Sequence, residues 1–373
     1  MKHPAATATA FAVLPLMLAP LSALEPLYYA VLLVMPFVRL WSARSVSILL
    51  LMSLVAAGIS ILLKQPLPVF RPWERLGMFA LLLAAVGPLF RSPQNDAMSR
   101  QLFRWQARFC FVIGTLSAGC AVVGFNSGGV LFSGLTPHSM VLGPIAGIGF
   151  LYGMQRVVTR YTEKGNLPLL HLLGGGVCLV SVLLSASRSA LLAACAGAAY
   201  LLLNMPRGKG MMILLLLLLC LLMLPFAGEL TAGLLHKMDS AQEAGSIFSS
   251  RAELWQDRME EFCTNPLFGV GFASQSIITF SHSLQSGIIE PGSSYLGCLS
   301  MLGLTGTLPL FSLLILALWH GRKPYGIPSA ASCVLVFFCV HMAFEGYMLS
   351  AGSILCILLW SCISATLATN AKS

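Results

Sequence analysis

The stretch that decides the fold is Ser45–Leu63, SVSILLLMSLVAAGISILL, which carries no charged residue. A helix needs about 20 such residues to cross the hydrocarbon layer of a membrane. A second run of this kind, Met211–Met223, reads MMILLLLLLCLLM. Because neither run shows the apolar–polar alternation of an outer-membrane barrel strand, both predict membrane-spanning helices.

The composition extends this prediction to the whole chain. Of the 373 residues, 57% are hydrophobic and 9% are charged, whereas a soluble domain carries about a quarter charged residues. A soluble fold is therefore excluded, and we predict an all-α polytopic membrane protein with about twelve transmembrane helices. The predicted spans lie near residues 6–23, 26–41, 45–63, 73–90, 107–125, 138–157, 168–185, 188–204, 209–227, 294–319, 325–344 and 348–368.

The charge pattern predicts the orientation. The net charge is +9, and most of the 22 basic residues fall in alternate connections. The positive-inside rule makes those connections cytoplasmic, together with both termini. We therefore expect a multi-pass protein of a bacterial inner membrane.

One long connection divides the chain into three parts. N-terminal helices, about nine of them, are predicted for 1–227, a periplasmic loop for 228–293, and about three C-terminal helices for 294–373. Long ordered loops are usually functional, and this one holds most of the 13 acidic residues. The spacing of its apolar residues predicts an amphipathic helix in the membrane surface. Those residues are Phe248, Ala252, Trp255, Met259 and Phe262.

Three polar elements on the predicted outer face are candidates for chemistry. The first is SASRSA, residues 185–190, where Arg188 stands between two apolar runs. A charge near the bilayer is costly, so it is either functional or snorkels to the interface. The second is the pair Arg251 and Arg258, which could bind a diphosphate or form a salt-bridged surface with neighbouring acids. The third is EPGSSYL, residues 290–296, which alone predicts only a turn entering a helix.

In this order the elements resemble the O-antigen ligase and O-antigen polymerase superfamily of bacterial envelope glycosyltransferases. A Ser-Arg-x-x-x-Leu motif is matched at 187–192, Arg-x3-Trp by Arg251 and Trp255, and a Pro-x-x-Gly-x-Gly turn at 266–271. A Gly-x-x-Gly helix follows at 303–306. The resemblance implies a GT-C-like architecture.

The chain departs from the ligases at one motif. Aligning Tyr295 and Leu296 places Gly292 and Ser293 where the ligases have His and Asn. This variant, with Glu345 in the penultimate connection, is more similar to the polymerase and exopolysaccharide branch. We therefore favour a polymerase over a ligase that transfers glycan to the lipid A core.

The resemblance implies a glycan donor linked to a polyprenyl diphosphate and a glycan or lipid-linked glycan as acceptor. The two are expected to be joined on the periplasmic face, in contact with membrane lipid and without nucleic acid, metal or cofactor. Arg188, Arg251 and Arg258 are assigned to the diphosphate. Glu290 is the first candidate to assist the acceptor hydroxyl, with His282 as the second or as an ordinary loop histidine. The remaining candidate substrate-binding residues are Trp255, Tyr295, Ser293, Glu345 and His138.

Two other classes remain open. A lipid or oligosaccharide transporter would also need about twelve helices, and His341 with Glu345 could form its proton relay. A membrane scaffold is the other class, although arginines near the bilayer disfavour it.

Overall fold

The computed structural model of the protein describes residues 3–128, 131–205, 210, 249–276, 287–322 and 326–368. Its regular structure is almost wholly helical in these ranges, in agreement with the predicted all-α class. One antiparallel pair joins β1, Ser45–Val46, to β2, Phe90–Arg91. The helices are α1 (Pro4–Ala12), α2 (Leu14–Met17), α3 (Pro26–Trp41), α4 (Ile48–Lys64), α5 (Pro72–Ala85), α6 (Pro93–Val122), α7 (Ser139–Lys164), α8 (Leu169–Leu184), α9 (Arg188–Leu203), α10 (Ser249–Thr264), α11 (Ser294–Gly321), α12 (Ala330–His341) and α13 (Ile354–Leu367).

Most helix bounds follow the apolar runs, but the predicted first span, 6–23, is wrong as one continuous helix. The chain forms α1 and α2 there, followed by a 3₁₀ turn at Ala19–Leu24. Pro15 lies in the first turn of α2 and Pro20 in the first turn of the 3₁₀ segment. Proline has no N–H to donate to the preceding turn, so each one starts a new segment.

Three further predicted bounds differ from the structure. The span predicted at 107–125 belongs to α6, which already begins at Pro93 because Ser92 caps it and accepts a hydrogen bond from the Asn95 amide. The last two predicted spans are shorter, since residues 342–353 form the connection between α12 and α13. The span predicted at 209–227 lies almost wholly outside the described residues. The count of about twelve spans stays a prediction.

Close helix packing surrounds α7, which lies against α6, α8 and α9. Small residues make this possible. A Cβ on Gly149 would lie 2.8 Å from the Cys110 carbonyl, and one on Gly174 would lie 2.3 Å from the Phe111 ring. Both contacts are closer than a larger side chain at either position would allow.

The described connections alternate between two ends of the bundle. At one end, the α8–α9 turn approaches the start of α7, where a Cβ on Gly143 would lie 2.7 Å from Ser187. The connection after α12 lies at this same end, because Ser189 of α9 hydrogen-bonds Glu345 within it. The start of α11 lies there too, since the Ser294 amide donates to the Met342 and Glu345 carbonyls. At the other end, Arg100 of α6 donates to the Ala368 carbonyl after α13. We refer to these as the Glu345 end and the Arg100 end.

Large apolar side chains are exposed along the outer helices. Phe37 of α3 is 72% exposed, Leu62 of α4 65% and Ile315 of α11 63%. A monomeric soluble protein rarely exposes such extended apolar surface, whereas lipid covers it. Two described helices, α7 and α11, are by themselves long and apolar enough to cross a membrane. The other apolar helices among the described residues are shorter.

A break in α11 anchors the loop that follows α10. Gly303 has φ 60° and ψ −164°, so two helical pieces meet there. The amides of Leu304 and Thr305 donate across the break to the carbonyls of Pro266 and Leu267. Gly269, with φ 67°, fits against the Ser300 carbonyl, which a Cβ would approach to 2.4 Å. The two glycine motifs of the sequence are thus partners in one packing contact.

Candidate functional site

The centre of the site is an ion pair between α10 and the α12–α13 connection. Arg251 Nη2 donates to Glu345 Oε1 at 2.6 Å, and the two side chains are 27% and 19% exposed. Arg251 Nη1 donates to the Gly292 carbonyl at 3.3 Å. These contacts hold the guanidinium at the Glu345 end of the bundle while leaving part of it accessible.

The beginning of α9 reaches the same carboxylate. Ser187 caps α9 by accepting from the Ala190 amide, which makes Arg188 the first residue of the helix. Arg188 is half-buried. The next residue, Ser189, hydrogen-bonds Glu345. The segments that carry Arg188 and Arg251, far apart in sequence, therefore meet at Glu345. We refer to this meeting point as the junction.

The motif at residues 290–296 forms the wall beside this junction. Gly292 has φ 68°, and a Cβ there would lie 3.0 Å from Leu254 and 3.3 Å from Trp255. Its carbonyl also accepts from Trp255 Nε1 at 3.1 Å. A side chain at position 292 would be strained and crowded, so the residue that replaces the ligase-type histidine is a backbone partner of α10.

Serine hydroxyls fasten this wall to the α12–α13 connection. Ser294 Oγ donates to the Glu345 carbonyl at 2.6 Å and accepts from the Tyr347 amide at 3.0 Å. Ser293 is buried and donates to the Met342 carbonyl at 3.3 Å. The Tyr295 hydroxyl donates to the Cys339 carbonyl at 2.7 Å. In this structure, Ser293 and Tyr295 position the wall.

Glu290 and His138 are exposed at the same end of the molecule. Glu290 makes no hydrogen bond or ion pair with the part of the chain that the structure describes, and its charge acts on Glu345. The carboxylate that contacts Arg251 is therefore Glu345 rather than Glu290. His138 precedes α7, and its Nδ1 accepts from the Met140 amide at 3.1 Å. His282 lies outside the described residues.

Arg258 belongs to a separate buried network. It is 1% exposed, donates to Glu261 at 2.7 Å and donates to Gln275 Oε1 at 2.8 Å. Glu261 also accepts from the Ser276 amide at 2.6 Å and from Ser300 Oγ at 2.5 Å. The structure does not bring Arg258 to the junction as the sequence interpretation expected, because the segment at 275–276 folds back onto α10.

Burial affects the two acid–base pairs differently. At the junction, burial raises the pKa of Glu345, although Arg251 and the bond from Ser189 oppose the rise and Glu290 adds to it. In the second pair, burial lowers the pKa of Arg258, against the opposing charges of Glu261 and Asp257. An incoming anion near Arg251 would favour protonation of Glu345 further, since like charges disfavour ionisation.

An apolar cavity of about 600 Å³ lies next to the junction, on the other side of Pro291 and Gly346. Its walls include Met78, Ile289 and Met301, and Arg71, Glu74 and Arg75 line it as well. Arg75 donates to the Gly287 carbonyl at 2.7 Å, and Arg71 pairs with Glu74 at 3.6 Å. The cavity has the volume and the apolar walls to hold a hydrocarbon chain. Its two arginines can contact an anionic group of the same ligand.

The proposed transporter relay lacks a direct link in the structure. His341 is buried, stacks on Phe337 and contacts the Tyr347 hydroxyl through Nδ1 at 3.1 Å. Glu345 instead contacts Arg251 and Ser189. Within the described ranges, no group of three or more His, Cys, Asp or Glu side chains could hold a metal ion.

Comparison with known proteins identifies the middle of the chain. Residues 173–311 match the O-antigen ligase family. The match confirms the resemblance to the O-antigen ligase and polymerase superfamily. No curated protein matches the chain significantly. Members of that family are membrane proteins with glycosyltransferase-type activity on lipid-linked glycans.

The O-antigen ligase segment contains Arg188, Arg251 and Glu290, whereas Glu345 lies beyond it. Sequence reasoning named Glu345 but missed its partner Ser189 and the anchoring role of Ser294. Both serines stand next to motif residues, which was the available signal. The cavity-lining Arg71 and Arg75 were missed as well, although they are four residues apart at the start of the predicted span 73–90.

Proposed function

We propose that the protein is a polysaccharide polymerase that moves a glycan from a polyprenyl diphosphate onto a sugar hydroxyl at the outer face of the bacterial inner membrane. The observation that carries the proposal is the junction at Glu345, where the start of α9 and Arg251 of α10 reach one carboxylate. The expected orientation, with the Glu345 end in the periplasm, follows from the positive-inside rule.

In the proposed reaction the acceptor hydroxyl oxygen forms a bond to the anomeric carbon of the donor. The bond between that carbon and the diphosphate oxygen breaks, and the polyprenyl diphosphate leaves with the electron pair. The hydroxyl proton passes to a carboxylate or to water. Since the diphosphate gains negative charge as it leaves, fixed guanidinium groups lower the barrier.

Arg251 is suited to the diphosphate because its contacts leave donors unused. A guanidinium has five N–H groups, and the bonds of Arg251 to Glu345 and Gly292 use two of its nitrogens. Glu345 keeps Arg251 in place, and a diphosphate would compete with it for the same guanidinium. Arg188, at the start of α9, supplies the second charge. Arg258 is left out of the donor site because it is buried among its own partners.

The acceptor is assigned to Glu290. Its exposed carboxylate lies close enough to influence Glu345, so it can orient a hydroxyl beside the junction. The apolar cavity is assigned to isoprenoid units of a lipid carrier, whose hydrocarbon it would remove from water. Polymerase rather than ligase activity is favoured by Gly292, which stands where the ligases have a histidine.

The test is a transfer assay with the purified full-length protein and a polyprenyl-diphosphate-linked glycan. Because each arginine stabilises developing charge, we expect Arg188→Ala and Arg251→Ala each to lower the rate by about 10²–10³-fold. Arg160→Ala is the matched control, since Arg160 is exposed near the end of α7, away from the junction. A polymerase gives products of increasing glycan length.

Other outcomes are equally informative. Transfer of a single glycan to a lipid A core acceptor, without chain extension, would show a ligase. Near-parental rates in both arginine variants would refute the shared donor site. Uptake of the lipid-linked glycan into vesicles without any new glycosidic bond would instead support a transporter.

A further inference from the structure

A second basic cavity lies at the Arg100 end of the bundle. It has a volume of about 370 Å³ and is enclosed by α6, α7, α12 and α13. Three arginines line it: Arg100 and Arg104 from α6, one turn apart, and Arg156 from α7. We name this cavity the arginine pocket.

The described residues around this pocket do not neutralise its arginines. None of its lining residues is acidic, and none of the three guanidinium groups forms an ion pair with any described residue. Arg100 donates to the Ala368 carbonyl, and Arg156 lies 5.3 Å from the centre of the Tyr152 ring. Arg104 is exposed and makes no hydrogen bond within the described ranges.

Polar groups of the pocket add to this positive potential. Ser329, Ala330 and Ala331 line it, and they form the cap and first turn of the twelve-residue helix α12. Amides in the first turn of a helix have no partner within the helix, and the helix dipole places partial positive charge there. Gln155 also lines the pocket, and its Nε2 donates to Thr159 Oγ1 and to the Pro328 carbonyl, which holds α7 beside the start of α12.

The positive-inside rule explains why basic residues gather at this end, but it does not explain their convergence. Residues that serve only to orient a chain can point separately into solvent. Here three guanidinium groups from two helices and a helix N-terminus surround one concavity. Basic pockets between transmembrane helices are a recognised way of binding lipid head groups.

We propose that the arginine pocket binds a phosphate-bearing anion, either the head group of an anionic phospholipid or free phosphate. Such a ligand would link α6 and α7 to the beginning of α12 and would neutralise the pocket. The proposal concerns the end of the bundle opposite the junction, so it does not depend on the transfer reaction.

The experiment uses the purified full-length protein, delipidated in an uncharged detergent. Three probes are added separately: phosphatidylglycerol, phosphatidylcholine with the same acyl chains, and inorganic phosphate. Binding is measured by native mass spectrometry and by the shift in melting temperature. We expect binding of phosphatidylglycerol or phosphate but not of phosphatidylcholine, which carries no net charge.

The variants locate the binding. A basic residue near anionic lipid contributes about 1 kcal/mol, so Arg104→Gln should weaken binding about fivefold and the double variant with Arg156→Gln about 25-fold. Because Arg104 is exposed, its single substitution tests the pocket without removing a buried group. Arg44→Gln, in an exposed connection at the same end, is the matched control and should bind like the parent.

The outcomes separate the two sources of phosphate. Variant-sensitive binding of phosphatidylglycerol that inorganic phosphate cannot displace identifies a lipid site. Variant-sensitive binding of phosphate alone identifies a soluble anion. The proposal is overturned if neither probe binds, or if Arg104→Gln and the double variant bind as tightly as Arg44→Gln.

Discussion

The two arginines of α10 show how one helix can serve two purposes. Arg251 and Arg258 are seven residues apart, and each pairs with a carboxylate. Arg251 is accessible and its partner Glu345 belongs to a distant connection, whereas Arg258 is buried and its partner Glu261 lies one turn away on α10. The first pair can exchange its partner for a ligand. The second holds α10 on α11.

The difference lies in the supporting contacts. Glu261 accepts from Arg258, Ser276 and Ser300, so its carboxylate is compensated without a ligand. Glu345 receives bonds from Arg251 and Ser189, yet burial raises its pKa, which marks an incompletely compensated carboxylate. A substrate-binding arginine is therefore better recognised by a partner carboxylate that is incompletely compensated than by its spacing along a helix.

The largest expected effect is on stability, from Arg258→Ala. Removing one partner of a buried ion pair leaves the other charge uncompensated and costs about 3–5 kcal/mol. We expect a large drop in the melting temperature of the purified protein. The double variant Arg258→Met with Glu261→Gln should recover part of it, because Gln keeps an oxygen for Ser276 and Ser300.

The Arg258→Ala variant can also show that Arg251 and Arg258 do not differ in their roles. If Arg258→Ala melts like the parent but loses transfer activity, Arg258 binds the donor and the two arginines of α10 act together, as their spacing first indicated.

The second prediction compares two carboxylates. Glu290→Gln should lower kcat by about 10²-fold with donor affinity unchanged, because the amide can still orient a hydroxyl but cannot take its proton. Glu345→Gln should mainly change donor affinity, because it releases Arg251 from its partner. The measurement is kcat and KM for both variants with the same lipid-linked donor. The opposite pattern would move the acceptor-assisting role from Glu290 to Glu345.

Much of the fold could be predicted because apolar runs between polar breaks determine helices in a membrane. The run at 26–41 is α3, and the polar break at residues 185–187 separates α8 from α9. The first span could not be delimited by composition alone, since Pro15 and Pro20 divide a run that is apolar throughout. Proline changes the hydrogen bonding without changing the hydrophobicity.

The site was only partly predictable, for a related reason. Arg188, Arg251, Glu290 and Glu345 were recognised by residue type and motif, but their pairing depends on tertiary contacts. Nothing in the spacing of α10 indicates that Gln275 and Ser276 fold back to enclose Arg258 and Glu261. Likewise, the Gly303 break becomes meaningful only when the turn at 266–271 packs into it. Long-range pairing of this kind is not encoded in local periodicity.

The smallest predicted effect is a pH dependence of stability that originates at Glu345. Its pKa in the folded protein is raised above the ordinary value of 4.5. The folded state therefore binds the Glu345 proton more tightly than the unfolded state does. This contribution to stability is complete below the ordinary pKa and is lost as the pH rises through the raised value. Glu345→Gln, which cannot ionise, should lack this loss.

The measurement is the melting temperature of the parent and of Glu345→Gln across the range from about pH 4 to about pH 7, where carboxylates titrate. The difference between the two proteins should change over this range, with the parent losing stability relative to the variant as the pH rises. Glu290→Gln is the matched control, because Glu290 is exposed and removing its charge takes away only one of the causes that raise the pKa of Glu345. If the parent instead gains stability relative to Glu345→Gln with rising pH, Arg251 outweighs burial at Glu345. The pair of Arg251 and Glu345 would then resemble the pair of Arg258 and Glu261, and the two arginines of α10 would no longer differ in kind.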